Sequence, residues 1–311
     1  MPQERFDEDA LRIMRAVRFS AQLGFEIDGP TKEAITEKVQ QLENISAERI
    51  QMELVKILVS EHPEYMRLAC DLGITAVVLP EYDRIRSVSQ HTPNHIYDVE
   101  EHTLRAMMNI VPDKVLRLTM LMHDFGKPDV KKVVEGGREI FYKHPEVSAA
   151  YAEKIMRRLK FDNDTRTKVV RLVKWHGLKY DASEVSVRRA LNRVGQDIFE
   201  DFIKVQQADI EAKNPAVIPG QNWALLAEEG KNISQSDAEG QCFTVRQLAI
   251  GGLNLIRAGI EPGPLLGAVL DKLTEAVIDD QRMNNKEKLL ELAEKLKDDP
   301  AVFTPKEDFF M

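Results

Sequence analysis

Apolar residues recur along this chain at intervals of three and four, with polar residues filling the positions between. Leu11, Met14 and Val17 form one such stripe, Ile50, Leu54, Ile57 and Leu58 a second, and Leu289, Leu290 and Leu292 a third. A period near 3.6 predicts amphipathic helices. Strict alternation is scarce, so strands are expected only as a short hairpin in "VVEGGREIFY", where Gly136 and Gly137 supply the turn between two short apolar runs. Helix punctuation agrees: Gly24 ends the first helical stretch, Thr31 caps the second, and Pro145 opens a helix just after His144. Breaks are expected at Leu79-Pro80 and across "NPAVIPGQNW". The pattern predicts an all-α chain, a multi-helix array without internal repeats.

Length and composition, 311 residues with 43% hydrophobic and 30% charged, fit two or three packed domains. No apolar run approaches the roughly 20 residues a membrane span needs, and the charged start "MPQERFDEDA" is unlike a secretory signal. A cytoplasmic chain with no membrane role is expected. Cys70 and Cys242 are too few for a disulfide framework or a thiolate zinc cluster, which fits a reducing compartment where the sequons at Asn44 and Asn232 have no consequence. The net charge of −8 argues against polyanion binding by the whole surface. Residues 154–193 reverse that balance, with twelve basic residues against four acids. Arg157, Arg158, Lys160, Arg171, Lys174, Arg188 and Arg189 are therefore candidate contacts for a phosphate-rich ligand. A solvated helix face is the competing explanation.

The segment "TMLMHDFGKP" places an imidazole and a carboxylate, His123 and Asp124, at the end of an apolar helix. Buried there, both need partners. His102, His144, His176 and Asp209 can supply them. The spacings from His102 through His123, His144 and His176 to Asp209 are 21, 21, 32 and 33 residues, about one helix hairpin each, so each could project from a successive helix into one core. His102, His123, Asp124 and Asp209 could hold one divalent ion, and His144 with His176 a second, with Asp124 bridging. Nitrogen and carboxylate ligands without thiolates suit Mn, Fe, Co, Ni, Zn or Mg and do not choose among them. Such a site acidifies bound water and polarises a phosphoryl oxygen. Asp124 and Lys127 are the candidate catalytic residues, Lys127 as a point charge for phosphate, and Gly126 would let a ligand approach the backbone closely. His62 and His91 read as ordinary imidazoles, whereas His95, seven residues before His102, could line the same cleft.

His102, His123-Asp124 and Asp209 resemble the metal-dependent phosphohydrolase superfamily named for its His-Asp doublet, and His144 and His176 match the extra histidines of its two-metal members. The resemblance covers residues 89–215 and implies a central helical domain of that type. A second resemblance lies on both sides of it. "RFDEDALRIMRAVRFSAQLGFEID" is similar to the neck helix of the bacterial CCA-adding enzyme and poly(A) polymerase family, and "FTVRQLAIGGLNLIRAGIEPGPLLGAVLDKL" to its C-terminal segment. The resemblance implies a neck-like RNA- or nucleotide-binding region over 1–88, a tRNA-binding tail over 216–311, and a nucleobase-reading role for Glu8, Asp9 and Arg12. Asp9 and Arg12, three apart, would share one helix face. A first-turn acid pair favoured by the helix dipole is the alternative. Asn254 stands where the family is expected to carry Asp.

Family members carry a nucleotidyltransferase head before the neck, with a glycine-rich turn and an Asp-x-Asp pair holding two Mg ions; this sequence begins at the neck. Its Asp-x-Asp at Asp162 and Asp164 reads as a loop and helix cap. Alone, this polypeptide is expected not to add nucleotides unless a separate head docks. The implied activity is that of a phosphatase or 2′,3′-cyclic phosphodiesterase acting on nucleotides or RNA 3′ ends, with tRNA as partner. The alternative is a noncatalytic tRNA-binding scaffold with a structural or vestigial His/Asp site; a stand-alone nucleotide phosphohydrolase leaves the neck and tail unexplained.

Overall fold

Helices make up nearly all the regular structure in the computed structural model, which describes residues 1–92, 94–217, 222–235 and 242–303. In chain order they are α1 (Pro2–Glu8), α2 (Leu11–Leu23), α3 (Gly29–Lys38), α4 (Ala47–Leu58), α5 (Met66–Asp71), α6 (Ile74–Val78), α7 (Pro80–Asp83), α8 (Val99–Asn109), α9 (Lys114–Met122) and α10 (Lys127–Val130). After a two-stranded hairpin follow α11 (His144–Arg158), α12 (Asn163–Trp175), α13 (Glu184–Val194), α14 (Phe199–Glu211), α15 (Trp223–Gln235), α16 (Gly252–Arg257), α17 (Pro264–Asp279) and α18 (Lys286–Leu296). The all-α expectation holds. The hairpin, β1 (Lys132–Val133) and β2 (Glu139–Ile140), is antiparallel with Lys132 opposite Ile140, and Gly136 and Gly137 take positive φ in its turn. The break expected across 214–223 falls in part on residues 218–221, outside the described ones.

Two compact units emerge: Met1–Gly177 with Lys204–Gly220, and Leu178–Ile203 with Gln221–Met311. The second unit has a core of Leu255, Val269, Leu273, Val277 and Leu289 from α16, α17 and α18. In the first, α2 packs on α4 through the predicted apolar stripes, and Gly24 ends α2 at φ +69. Aspartates start many of its helices. Asp98, Asp113 and Asp162 each accept a backbone N–H from the first turn of α8, α9 and α12, which stabilises a helix start by about 1 kcal/mol. Asp28, not Thr31, caps α3: Thr31 donates its N–H to the Asp28 side chain at 2.8 Å.

α9 explains the first unit's layout. Residues Leu116 to Met122 are all buried, so this helix is enclosed on every side, by α4, α8, α11 and α12 among others. A helix so largely apolar belongs inside a core, and its buried Arg117 and Thr119 are satisfied by the carbonyls of Ile110, Leu58 and Val115. Its C-terminus therefore emerges among other helix ends rather than in water. Just beyond it the chain passes under α11 at Gly126. A Cβ built there would lie 2.7 Å from the His144 carbonyl oxygen and the Ser148 nitrogen, while the Gly126 N–H donates to Ser148 Oγ at 2.9 Å. The close approach expected at Gly126 is thus made by α11, not by a ligand.

Gly126→Ala should lower stability by roughly 1–3 kcal/mol, because the obstructing atoms are mostly backbone and cannot turn aside. A urea midpoint equal to that of the parent chain would contradict this crossing.

Candidate metal centre

His123 directly follows α9, His176 directly follows α12, and His144 is the first residue of α11. The last carbonyls of a helix lack intrahelical partners. His123 and His176 use this, donating Nδ1–H to the carbonyl three residues earlier: Met120 at 2.6 Å and Val173 at 2.7 Å. His144 does the same to Phe141 at 2.8 Å, and His102 on α8 places Nδ1 3.3 Å from the Ala212 carbonyl. A carbonyl can only accept, so each Nδ1 carries a proton, and in the neutral ring Nε2 presents the lone pair.

Those lone pairs converge. His102 and His123 bring Nε2 atoms within 3.3 Å of each other, and His144 and His176 within 3.2 Å. Asp124 stands between the pairs. Its Oδ2 lies 3.2 Å from His123 and 3.6 Å from His102, while its Oδ1 lies 3.3 Å from His144 and 4.0 Å from His176. Asp209 on α14 adds an oxygen 2.9 Å from His102 and 3.7 Å from His123. All six predicted ligands thus meet in one place: five form two three-residue groups sharing Asp124, each compact enough for one cation, and Asp209 borders the first of them. Both Asp124 oxygens are buried and accept no properly directed hydrogen bond. Acceptors this close, turned toward one another, need a positive charge among them. The donor set therefore fits a divalent metal.

Burial pushes the His176 and His144 pKa values down, to about 3 and about 4. It also lowers His102, despite the opposing pull of Asp209. At His123 burial acts the same way, but the adjacent Asp124 charge outweighs it and raises the pKa. Burial alone would raise both carboxylates; instead His123 and Lys127 hold Asp124 well below its usual range, and Lys213 and His102 do the same for Asp209. His95 packs edge-on against His102, ring centres 5.1 Å apart, and burial takes its pKa to about 2.

Lys127 is not the open phosphate contact expected. It is buried, 2.6 Å from Asp124 Oδ2, and donates to Gln90 Oε1. Lys213 pairs with Asp209 at 2.7 Å. The sequence reading missed both Lys213 and Gln90. Lys213 was legible as a lysine four residues after an aspartate at a helix end, whereas Gln90 carried no signal.

The nucleobase-reading set is rearranged. α1 stops at Glu8 and Asp9 is extended (φ −155°), so Asp9 and Arg12 do not share a continuous helix face. Asp9 accepts from the Leu11 N–H, which starts α2, and pairs with Arg49 at 2.9 Å; Arg12 pairs with Glu8. The basic stretch is divided between the units, residues up to Lys174 lying in the first and Arg188 and Arg189 in the second. Arg158 makes a bidentate pair with Glu81 at 2.7 Å, Arg157 pairs with Glu153, and Arg189 with Asp279. Arg188 is buried and paired with Glu184, so it is not the open contact expected. Lys160 is exposed, Lys174 lies 4.9 Å from the Trp175 ring centre, and Arg171 is half-buried. Asp162 caps α12 and Asp164 pairs with Lys168 at 2.9 Å, in line with the cap reading.

Two family descriptions match the sequence: "Probable RNA and SrmB-binding site of polymerase A" over residues 24–86, and "tRNA nucleotidyltransferase domain 2 putative" over 140–293. His102, His123 and Asp124 lie outside both segments. Among curated relatives, the CC-adding tRNA nucleotidyltransferase of Thermus thermophilus is 29% identical over 88% of this chain and 64% of its own length. The A-adding enzyme of Deinococcus radiodurans is 28% identical over 88% and 65%, and the CCA-adding enzyme of Limosilactobacillus reuteri 29% over 95% and 62%. The chain therefore spans a little under two thirds of these relatives. The crystal structure of the Bacillus stearothermophilus CCA-adding enzyme in complex with CTP shares the fold, with a TM-score of 0.62 at 22% identity over 94% of this chain and 63% of that one. No described helix is long and apolar enough to cross a membrane.

In chelator-treated protein, stability should fall as pH drops from about 6.5 toward 4. The unfolded imidazoles titrate near 6.5, whereas His144 and His176 stay neutral until about 4 and about 3, so the unfolded chain binds more protons in that window. A melting temperature several degrees lower at pH 5 than at pH 7.5 is expected; an unchanged value would contradict the burial assigned to these rings.

Proposed function

We propose that the chain is a member of the CCA-adding enzyme and poly(A) polymerase family, whose body and tail region it resembles, that it serves tRNA processing, and that it carries a metal-dependent phosphohydrolase centre. The substrates proposed are phosphoesters of nucleotides or RNA ends, as monoesters or 2′,3′-cyclic diesters. The observation that carries this reading is the convergence of four imidazole Nε2 atoms on Asp124 and Asp209.

His102, His123, Asp124 and Asp209 would hold one ion, and Asp124, His144 and His176 a second. When bound, divalent ions acidify water and neutralise charge on the phosphoryl oxygens of an in-line displacement. The chain's own residues set the stage. The carbonyls of Met120, Phe141 and Val173 fix the tautomers and the ring orientations. Lys213 balances Asp209 from outside the imidazole pairs. Lys127, held by Gln90, balances Asp124. α8, α9, α11, α12 and α14 enclose the centre except at His144.

One observation favours the scaffold reading. Lys127 and Lys213 already give each carboxylate a cationic partner, so the cluster has internal charge balance without a metal. Metal content separates the two. Protein purified without chelator or histidine tag should contain one to two ions per chain and hydrolyse a 2′,3′-cyclic nucleotide only with divalent metal. Asp124→Ala should abolish both and leave tRNA affinity nearly intact. No metal and no turnover, with salt-dependent tRNA binding retained, would favour the scaffold.

These 311 residues should not incorporate CTP or ATP into tRNA, because both Asp-x-Asp pairs are committed elsewhere: Asp162 and Asp164 cap and pair on α12, Asp7 is held by Lys38 and Gln41, and Asp9 by the Leu11 N–H and Arg49. Clear incorporation by the purified chain would overturn that.

A further inference from the structure

Of the six side chains in the centre only His144 opens to solvent; it is 21% exposed, against 8% or less for the other five. A ligand approaching the centre meets His144 first. The residues just before it, Phe141, Tyr142 and Lys143, border that approach. Tyr142 is 60% exposed, and Lys143 places its ammonium 5.4 Å from the centre of the Tyr142 ring. Among the described residues Lys143 has no carboxylate within ion-pair distance. Phe141, half-buried, has its ring centre 5.4 Å from Lys127 Nζ, so the three residues run from the centre outward to water.

This segment is well anchored. The Phe141 carbonyl accepts both the backbone N–H and Nδ1–H of His144, at 3.2 and 2.8 Å. Lys143 sits at φ +62°, a conformation that an L-residue adopts only when its surroundings impose it. A single exposed aromatic is ordinary on a protein surface. Tyr142 stands out by its place, two residues from the one open imidazole of the centre and beside an unpaired cation.

We propose that Tyr142 and Lys143 form a nucleobase platform at the mouth of the centre. The ligand class is a nucleoside-bearing phosphoester: its base stacks on Tyr142, Lys143 meets an anionic oxygen of the same molecule, and the scissile phosphate lies over His144 and Asp124. Stacking uses the π-face common to all bases, so the platform accepts purines and pyrimidines and discriminates against esters without a base. The inference rests on the phosphohydrolase reading and narrows its substrate.

The test compares adenosine 2′,3′-cyclic phosphate with baseless ribose 2,3-cyclic phosphate, using the Mn-supplemented full chain, and measures adenosine 3′-monophosphate binding by calorimetry. The parent should prefer the adenosine ester at least tenfold in kcat/KM. Tyr142→Ala should bring that ratio toward one through KM, and weaken monophosphate binding at least fivefold. Tyr142→Phe should retain both, because it keeps the ring. Lys143→Asn, which tolerates positive φ, should weaken binding and flatten its salt dependence. An unchanged ratio and unchanged binding in Tyr142→Ala would overturn the platform while leaving the phosphohydrolase reading intact. Absence of turnover on both esters would count against that reading instead, and the binding measurement would still decide the platform.

Discussion

Three imidazoles spend their Nδ1–H on a carbonyl three residues back, and the chemistry of the first unit follows from that. At His123 and His176 the accepting carbonyl belongs to the last turn of the helix just completed, where it has no intrahelical partner. One hydrogen bond therefore closes a helix, selects a tautomer and aims a lone pair. The cost appears elsewhere, because the aimed Nε2 atoms of His102 and His123, and of His144 and His176, face each other at 3.3 and 3.2 Å. Only positive charge between them turns that repulsion into cohesion.

Charge balance around the two carboxylates is built in the same way. Burial would neutralise Asp124 and Asp209, but His123 and Lys127 keep the first ionised, and Lys213 and His102 the second. Both lysines lie within a helical turn of the carboxylate they balance, so local geometry secures them. Gln90 then fixes Lys127 from another part of the chain. His144 stands apart as the only member reaching solvent, which gives the centre a direction of approach.

Much of this was legible from residue types and spacing. The 3.6-residue period gave the helices, the paired glycines at 136 and 137 the hairpin, and the intervals among His102, His123, His144, His176 and Asp209 their convergence. Other features depend on contacts between distant residues, which no local pattern encodes. Asp9 is pulled out of helix by Leu11 and Arg49, and Gly126 is needed for α11 to cross. The charge count over 154–193 took no account of partners such as Glu81 and Asp279. Lys127 was recognised as important, but its place beside Asp124 depends on a glutamine 37 residues away.

The most direct test is a long-range proton–nitrogen NMR spectrum of the imidazoles, recorded metal-free and after Zn addition. The account predicts that His102, His123, His144 and His176 carry their proton on Nδ1 in the Zn-loaded chain, and that their Nε2 resonances move when the metal binds. Nε2–H tautomers at these positions, or resonances indifferent to Zn, would contradict it.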